Sequence, residues 1–203
     1  KMADEETFRK INGSPRSIHY LLKTTEDGID DSQISELPPA IMLNGRLGLV
    51  PGRLTINSFE NAISRRWSDV YQGDPLAIRT ITRIRTIAEA YAQRDGYDFV
   101  LMDTSPSLGA LNKVIISTVD GFIVPCLPDM FSMYGIRNIG SSLKQWKQEF
   151  DTIYKLISNS KRERFPNEFV QFLGYTIYNE KKYQKHLNEW DLAQAHYNYA
   201  QKI

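Results

Sequence analysis

Three short apolar runs, separated by long helical patterns, constrain this chain more than any other feature. Tyr97 to Asp103, Gly121 to Cys126 and Phe169 to Tyr178 are largely continuous in apolar residues. That pattern predicts short strands, the first of them buried on both faces. Between them lie Leu108 to Val119, helical in period, and a longer segment from Ser132 to Asn159. In the latter, Ile136, Ile139, Leu143, Trp146, Phe150, Ile153 and Ile157 share one side. Strand, helix, strand, helix, strand at this spacing predicts parallel βαβ units. The expected fold class is α/β, a mostly parallel sheet with helices on both faces. Ligands of such sheets bind at the carboxyl ends of the strands. Those ends are Asp103-Thr104-Ser105, Cys126-Leu127-Pro128-Asp129 and Tyr178-Asn179.

Upstream the pattern is weaker. Ser17 is a candidate N-cap for a short helix over Ile18 to Lys23. Thr24 to Pro39 is polar, acidic and ends in two prolines, which reads as a loop. Leu47 to Val50, closed by Pro51-Gly52, reads as a buried strand. A helix is expected from Ser58 to Tyr71. Another starts at Asp74-Pro75, an N-cap followed by a proline at the first helical position. Its apolar residues Ala77, Ile81, Ile84, Ala88 and Tyr91 form one stripe, and Gly96 ends it. The tail from Lys181 is polar and aromatic, with a helix expected from Asn188 and Trp190, Tyr183, Tyr197 and Tyr199 expected to pack.

Composition narrows the functional classes. The 203 residues suit one domain, expected over 1–203, and 25 basic against 24 acidic residues leave a net charge of +1. This argues against a polybasic nucleic-acid binder, though a local basic face is compatible with it. The single cysteine, Cys126, excludes an internal disulfide and a multi-cysteine zinc site, and a reducing cytoplasm is the expected location. Cys126 ends an apolar run and reads as a small core residue. His19, His186 and His196 are scattered and suggest no metal site. No apolar run approaches the roughly 20 residues that span a bilayer, so no membrane partner is expected. Arg65, Arg66, Arg79, Arg83 and Arg85 form a candidate basic surface, as do Lys155, Lys161, Arg162 and Arg164; a solvated helix face is the alternative for both.

Asp103 carries most chemical information. A carboxylate at a strand end can hold magnesium, directly or through water, beside a nucleotide. On spacing alone it could equally cap the turn or helix that follows.

The longer string Tyr97-Asp98-Phe99-Val100-Leu101-Met102-Asp103-Thr104-Ser105-Pro106-Ser107-Leu108-Gly109 resembles the second nucleotide motif of ParA/MinD-type ATPases, which carry a deviant P-loop. Val119-Asp120-Gly121 through Cys126, Ser132-Met133-Tyr134-Gly135-Ile136 and Phe172 through Asn179 resemble later landmarks of that family in the same order. The resemblance implies a ParA-type P-loop NTPase fold. It implies that Asp103 is the catalytic, magnesium-associated carboxylate, that Pro106 and Ser107 line the γ-phosphate side, and that Tyr178 and Asn179 contact adenine. The cofactors it implies are ATP and magnesium. Its partners would be a second copy in a homodimer, non-specific DNA and a centromere-binding protein, in partition of plasmids or chromosomes.

Two elements of the family pattern have no counterpart in this sequence. The glycine-rich lysine loop that cradles phosphates is absent from it, as is the D-x-D-P-Q strand end. The chain does not begin with Met, and the expectation is that it is given in part and that any hydrolytic activity depends on the remainder. A non-hydrolysing interaction module, or truncated scaffold, is the alternative. A nitrogenase-reductase-like role is disfavoured by the single cysteine.

Overall fold

A computed structural model describes residues 13–29, 37–178 and 194–201, with residues 5 and 9. It is mixed α/β. The described chain forms two compact units, one of residues up to Ile115 together with Ile153–Phe165, the other of Ile116–Thr152 with the residues from Pro166 onward.

The first unit is built on three helices: α1 (Ile18–Glu26), α2 (Asn57–Val70) and α3 (Pro75–Asp95). Ser17 stands at the N-cap of α1, but its hydroxyl makes no capping bond. The start of α3 follows the sequence signal, with Asp74 Oδ1 accepting from the Ala77 amide at 2.7 Å. Gly96 ends it in the left-handed region at φ 71°. Leu22 of α1, Phe59 and Ile63 of α2, and Ile78, Ile81 and Ile87 of α3 are buried. Each contributes about 2 kcal/mol of apolar burial. The buried part of α3 is wider than its expected stripe, taking in Thr80, Thr82 and Arg83, because α1 and α2 both pack on it. Tyr91 of α3 donates to the Pro38 carbonyl at 2.8 Å, which fixes the chain entering the next element. Burial raises the Tyr91 phenol above its ordinary pKa.

That element is a hairpin. Strand β1 (Ile41–Asn44) pairs antiparallel with β2 (Leu47–Leu49), Ile41 opposite Leu49. Asn44-Gly45 is a turn pair, and Asn44 Oδ1 accepts from the Arg46 amide at 2.8 Å. The strand expected at Leu47 to Val50 is therefore present, but it is half-exposed and antiparallel.

A polar cluster joins α1 to α2. His19 Nδ1 lies 2.5 Å from Thr55 Oγ1, and its Nε2 lies 3.1 Å from Glu26 Oε2 and 2.9 Å from Ser58 Oγ. The residue types are those of a nucleophile triad. Here, however, the carboxylate and the hydroxyl share one ring nitrogen, so Glu26 cannot orient the ring from the far side. The cluster is a structural tie. Burial pushes the Glu26 carboxyl up, but bonds from His19 and Ser58 and the Lys23 charge outweigh it, and its pKa lies below the ordinary 4.5. A depressed carboxyl pKa gives stability that is present above the ordinary value and lost as pH falls through the folded one. Glu26→Gln is expected to cost about 1 kcal/mol at neutral pH. It should also flatten the loss of stability between about pH 5 and pH 3. Urea melts across that range check both; parallel pH profiles for the two proteins would remove Glu26 from the acid response.

After α3 the structure departs from expectation. Residues 97–103 form no strand and join no ladder among the described residues. Phe99 is 85% exposed and Leu101 93% exposed, so the segment is not buried on both faces. Apolar content makes a strand only when a neighbouring backbone offers donors and acceptors. The Tyr97 hydroxyl donates to Met42 Sδ at 3.6 Å. Helix α4 (Ala110–Thr118) follows.

The second unit contains β3 (Gly121–Cys126) and β4 (Gln171–Ile177), which pair in parallel with a register shift between Phe122 and Ile123. Their mate-to-mate contacts include Phe122 and Phe172, ring centroids 5.2 Å apart. The long helix α5 (Met130–Leu156) starts behind Asp129, whose Oδ1 accepts from the Ser132 amide at 2.7 Å. Its buried residues are Met133, Trp146, Phe150 and Ile153, while Ile136, Ile139 and Leu143 are half-buried. A short helix α6 (Asn159–Arg162), part of the first unit, precedes β4 in sequence, and α7 (Gln194–Ala200) follows β4. The parallel sheet has two strands among the described residues.

Candidate functional site

Asp103 is exposed, at the head of a seven-residue loop that runs to Gly109 and into α4. Pro106 and Ser107 stand in the same loop, so three of the expected site residues come together by sequence alone. The loop is held from within. Asn112 on α4 is 3% exposed, and its Nδ2 donates to the carbonyls of Ser105 and Ser107, the latter at 2.6 Å. The Ser105 and Ser107 hydroxyls lie 3.1 Å apart.

The capping role left open for Asp103 belongs to another residue. Glu60 Oε1, from α2, accepts from the Leu111 amide at 3.3 Å, in the first turn of α4. A carboxylate there satisfies an otherwise unpaired amide and complements the helix dipole. Two residues on, Lys113 places its ammonium 3.7 Å from the centre of the Trp67 ring, also on α2. Glu60 and Trp67 are the site residues that sequence reading missed.

Tyr178 follows β4 in the other unit and is 53% exposed, and its amide donates to the Cys126 carbonyl at 3.1 Å. Asn179 lies outside the described residues, as do His186, Tyr183 and Trp190. Cys126 is buried, with Sγ 3.3 Å from the Thr176 carbonyl. Burial, with Asp129 adding, pushes its thiol pKa up, which disfavours the thiolate a nucleophile needs.

The first candidate basic surface does not form. Of its five arginines, only Arg65 is exposed, and Arg83 is 6% exposed. Arg66 turns inward to the Thr25 and Glu26 carbonyls at 2.8 and 2.9 Å. Arg85 pairs with Glu89 at 2.8 Å. In the second group Lys161 donates to the Gly73 carbonyl and Arg162 stacks on Tyr154, 5.1 Å from the ring centre. Lys155 and Arg164 remain exposed.

Among the described residues no three His, Cys, Asp or Glu side chains gather into a metal-binding cluster. The Asp103 loop offers one carboxylate and three hydroxyls, those of Thr104, Ser105 and Ser107, hard oxygen groups that suit magnesium shared with phosphate and water. It contains no lysine or arginine, so phosphate charge would have to be met from elsewhere. Among the described residues no helix is long and apolar enough to cross a membrane.

Comparison with solved structures supports the α/β class. A crystal structure of a Corynebacterium diphtheriae protein, DIP2308, superposes with a TM-score of 0.71 at 21% identity, covering 87% of this chain and 65% of that one. An AAA domain family model matches residues 74–156. A ParA family protein of Mycoplasma pneumoniae is 29% identical over 80 residues, 38% of this chain and 30% of its own. A ParA family protein of Mycoplasma genitalium is 27% identical over 127 residues, 61% of this chain and 42% of its own. The chain thus spans less than half the length of these curated relatives. The segment matched by the AAA domain model contains the Asp103 loop. Along that segment and beyond it, the chain is similar to ParA family proteins.

Proposed function

We propose that the chain serves a ParA-like ATPase in DNA partition. In this reading ATP binding drives homodimerisation, the dimer binds DNA without sequence preference, and a centromere-binding partner stimulates hydrolysis. The observation that carries it is Asp103, a solvent-facing carboxylate at the head of a loop pinned by Asn112 and Glu60. Residues 97–103 would then be a strand of a larger, mostly parallel sheet. Asp103 would hold magnesium, directly or through water, with Pro106 and Ser107 on the γ-phosphate side and Tyr178 and Asn179 beside adenine. Bound magnesium would neutralise charge on the β- and γ-phosphates. The protein's own part is positioning: a loop held before the nucleotide arrives needs no reorganisation at the reaction step. DNA contact would fall to Lys155 and Arg164 and to residues beyond those described.

One observation favours the alternative of a non-hydrolysing interaction module. Phe99 and Leu101 are exposed, as a partner-binding segment would have them. Titration calorimetry of the full-length protein with ATP, with and without magnesium, separates the two. The expected result is magnesium-dependent binding with slow turnover that DNA and partner accelerate. Absence of binding would sink the ATPase and leave the module.

A further inference from the structure

We propose that Glu60 is a positioning residue for the Asp103 loop, acting from α2 through the first turn of α4. Its effect on turnover presupposes the ATPase function; its effect on the loop does not.

A helix entering from a loop presents unpaired amides that need acceptors. Asp103, Thr104, Ser105 and Ser107 are the oxygen-bearing side chains of the preceding loop. The acceptor is instead Glu60 Oε1, 51 positions away in sequence. The same oxygen lies against Gly109, where an added Cβ would collide with it. Gly109 therefore leaves the room that the carboxylate occupies. Seven residues along α2, close to two full turns and so on the same face, Trp67 receives Lys113. Thus α2 grips α4 at Leu111 and again at Lys113, and between them Asn112 reaches back to the Ser105 and Ser107 carbonyls. The loop bearing Asp103, Pro106 and Ser107 is held from both sides.

The grip is itself anchored. Ser58, in the same first turn of α2 as Glu60, bonds His19 Nε2 at 2.9 Å and Glu26 Oε2 at 3.2 Å. That turn cannot rotate without breaking the polar cluster on α1. Glu60 thereby refers the loop's position to the buried helical core.

The test uses the full-length protein with Glu60→Ala, Glu60→Gln and Gly109→Ala. The last leaves Glu60 in place but drives its carboxylate off the helix end, because the obstructing atom is the tip of a flexible side chain. Hydrogen exchange read by mass spectrometry should show amides 109–112 of Glu60→Ala and Gly109→Ala exchanging about tenfold faster. Amides in the cores of α1 and α3 should keep wild-type rates. Glu60→Gln, which still offers an oxygen acceptor, should recover part of the protection. ATP turnover should fall about tenfold in kcat with KM within about twofold, the mark of lost positioning and not lost binding. Unchanged exchange at 109–112 in Glu60→Ala would overturn the proposal. So would an equal rise across α1 and α3, which reports general destabilisation, or normal kcat with a freed loop. A wild-type protein without turnover would end the ATPase function alone, and the exchange pattern would then decide whether Glu60 holds the loop.

Discussion

Asp103→Ala in the full-length protein is expected to lower magnesium-dependent ATP turnover by about 100-fold or more. Its thermal midpoint should barely move. The side chain is exposed, and the capping of α4 that would have made it structural is done by Glu60. Surface substitutions away from such contacts change stability by about 0.5 kcal/mol or less. Asp103→Asn should lose as much activity as Asp103→Ala if negative charge on the metal is what matters, since the amide keeps the shape and loses the charge. Without magnesium, ATP binding should be equally weak in all three proteins. Paired measurements of turnover and thermal melting check this. Wild-type turnover in Asp103→Ala would remove the residue from the mechanism, and a large loss of stability would return it to a capping role.

The parts of this fold legible in the sequence are those encoded by neighbours. Asp74-Pro75 and Gly96 bracket α3 through a side-chain cap and a left-handed end, both decided within four residues. Gly121 to Cys126 is a strand over its full expected length. The strand at Leu47 was read, but the hairpin turn before it and the antiparallel partner β1 were not. Residues 97–103 are the opposite case. Their apolar content is that of a buried strand, but pairing is decided by another backbone, and none pairs with them among the described residues. The candidate site divides in the same way. Asp103, Pro106 and Ser107 lie within five positions of one another, so their sharing a loop was readable in the sequence. Glu60 and Trp67 act across 51 and 46 positions, and nothing in the local pattern of α2 marks them as facing α4.

Arginine reading fails for a related reason, and Arg66 gives the second large prediction. In sequence Arg65-Arg66 looks like one basic pair. In the fold the helix turns them apart: Arg65 is exposed, while Arg66 closes the end of α1. Its Nη1 donates to the Thr25 carbonyl at 2.8 Å and to Thr80 Oγ1 at 3.0 Å, and its Nη2 donates to the Glu26 carbonyl at 2.9 Å. A cation at a helix C-terminus satisfies free carbonyls and opposes the helix dipole. One guanidinium thus joins α1, α2 and α3. Arg66→Met keeps much of the apolar stem and removes all three bonds, at an expected cost of about 3 kcal/mol. Lysine should restore only part, since an ammonium lacks the planar fork that reaches two carbonyls together. Arg65→Ala should stay within about 0.5 kcal/mol. Urea denaturation of the three variants, with unchanged slope, measures this directly. If instead both arginines formed a DNA-binding face, Arg65→Ala and Arg66→Met would weaken salt-dependent DNA binding alike and leave stability untouched. The two outcomes are distinct because a surface cation acts on the partner, whereas a cation buried against carbonyls acts on the fold.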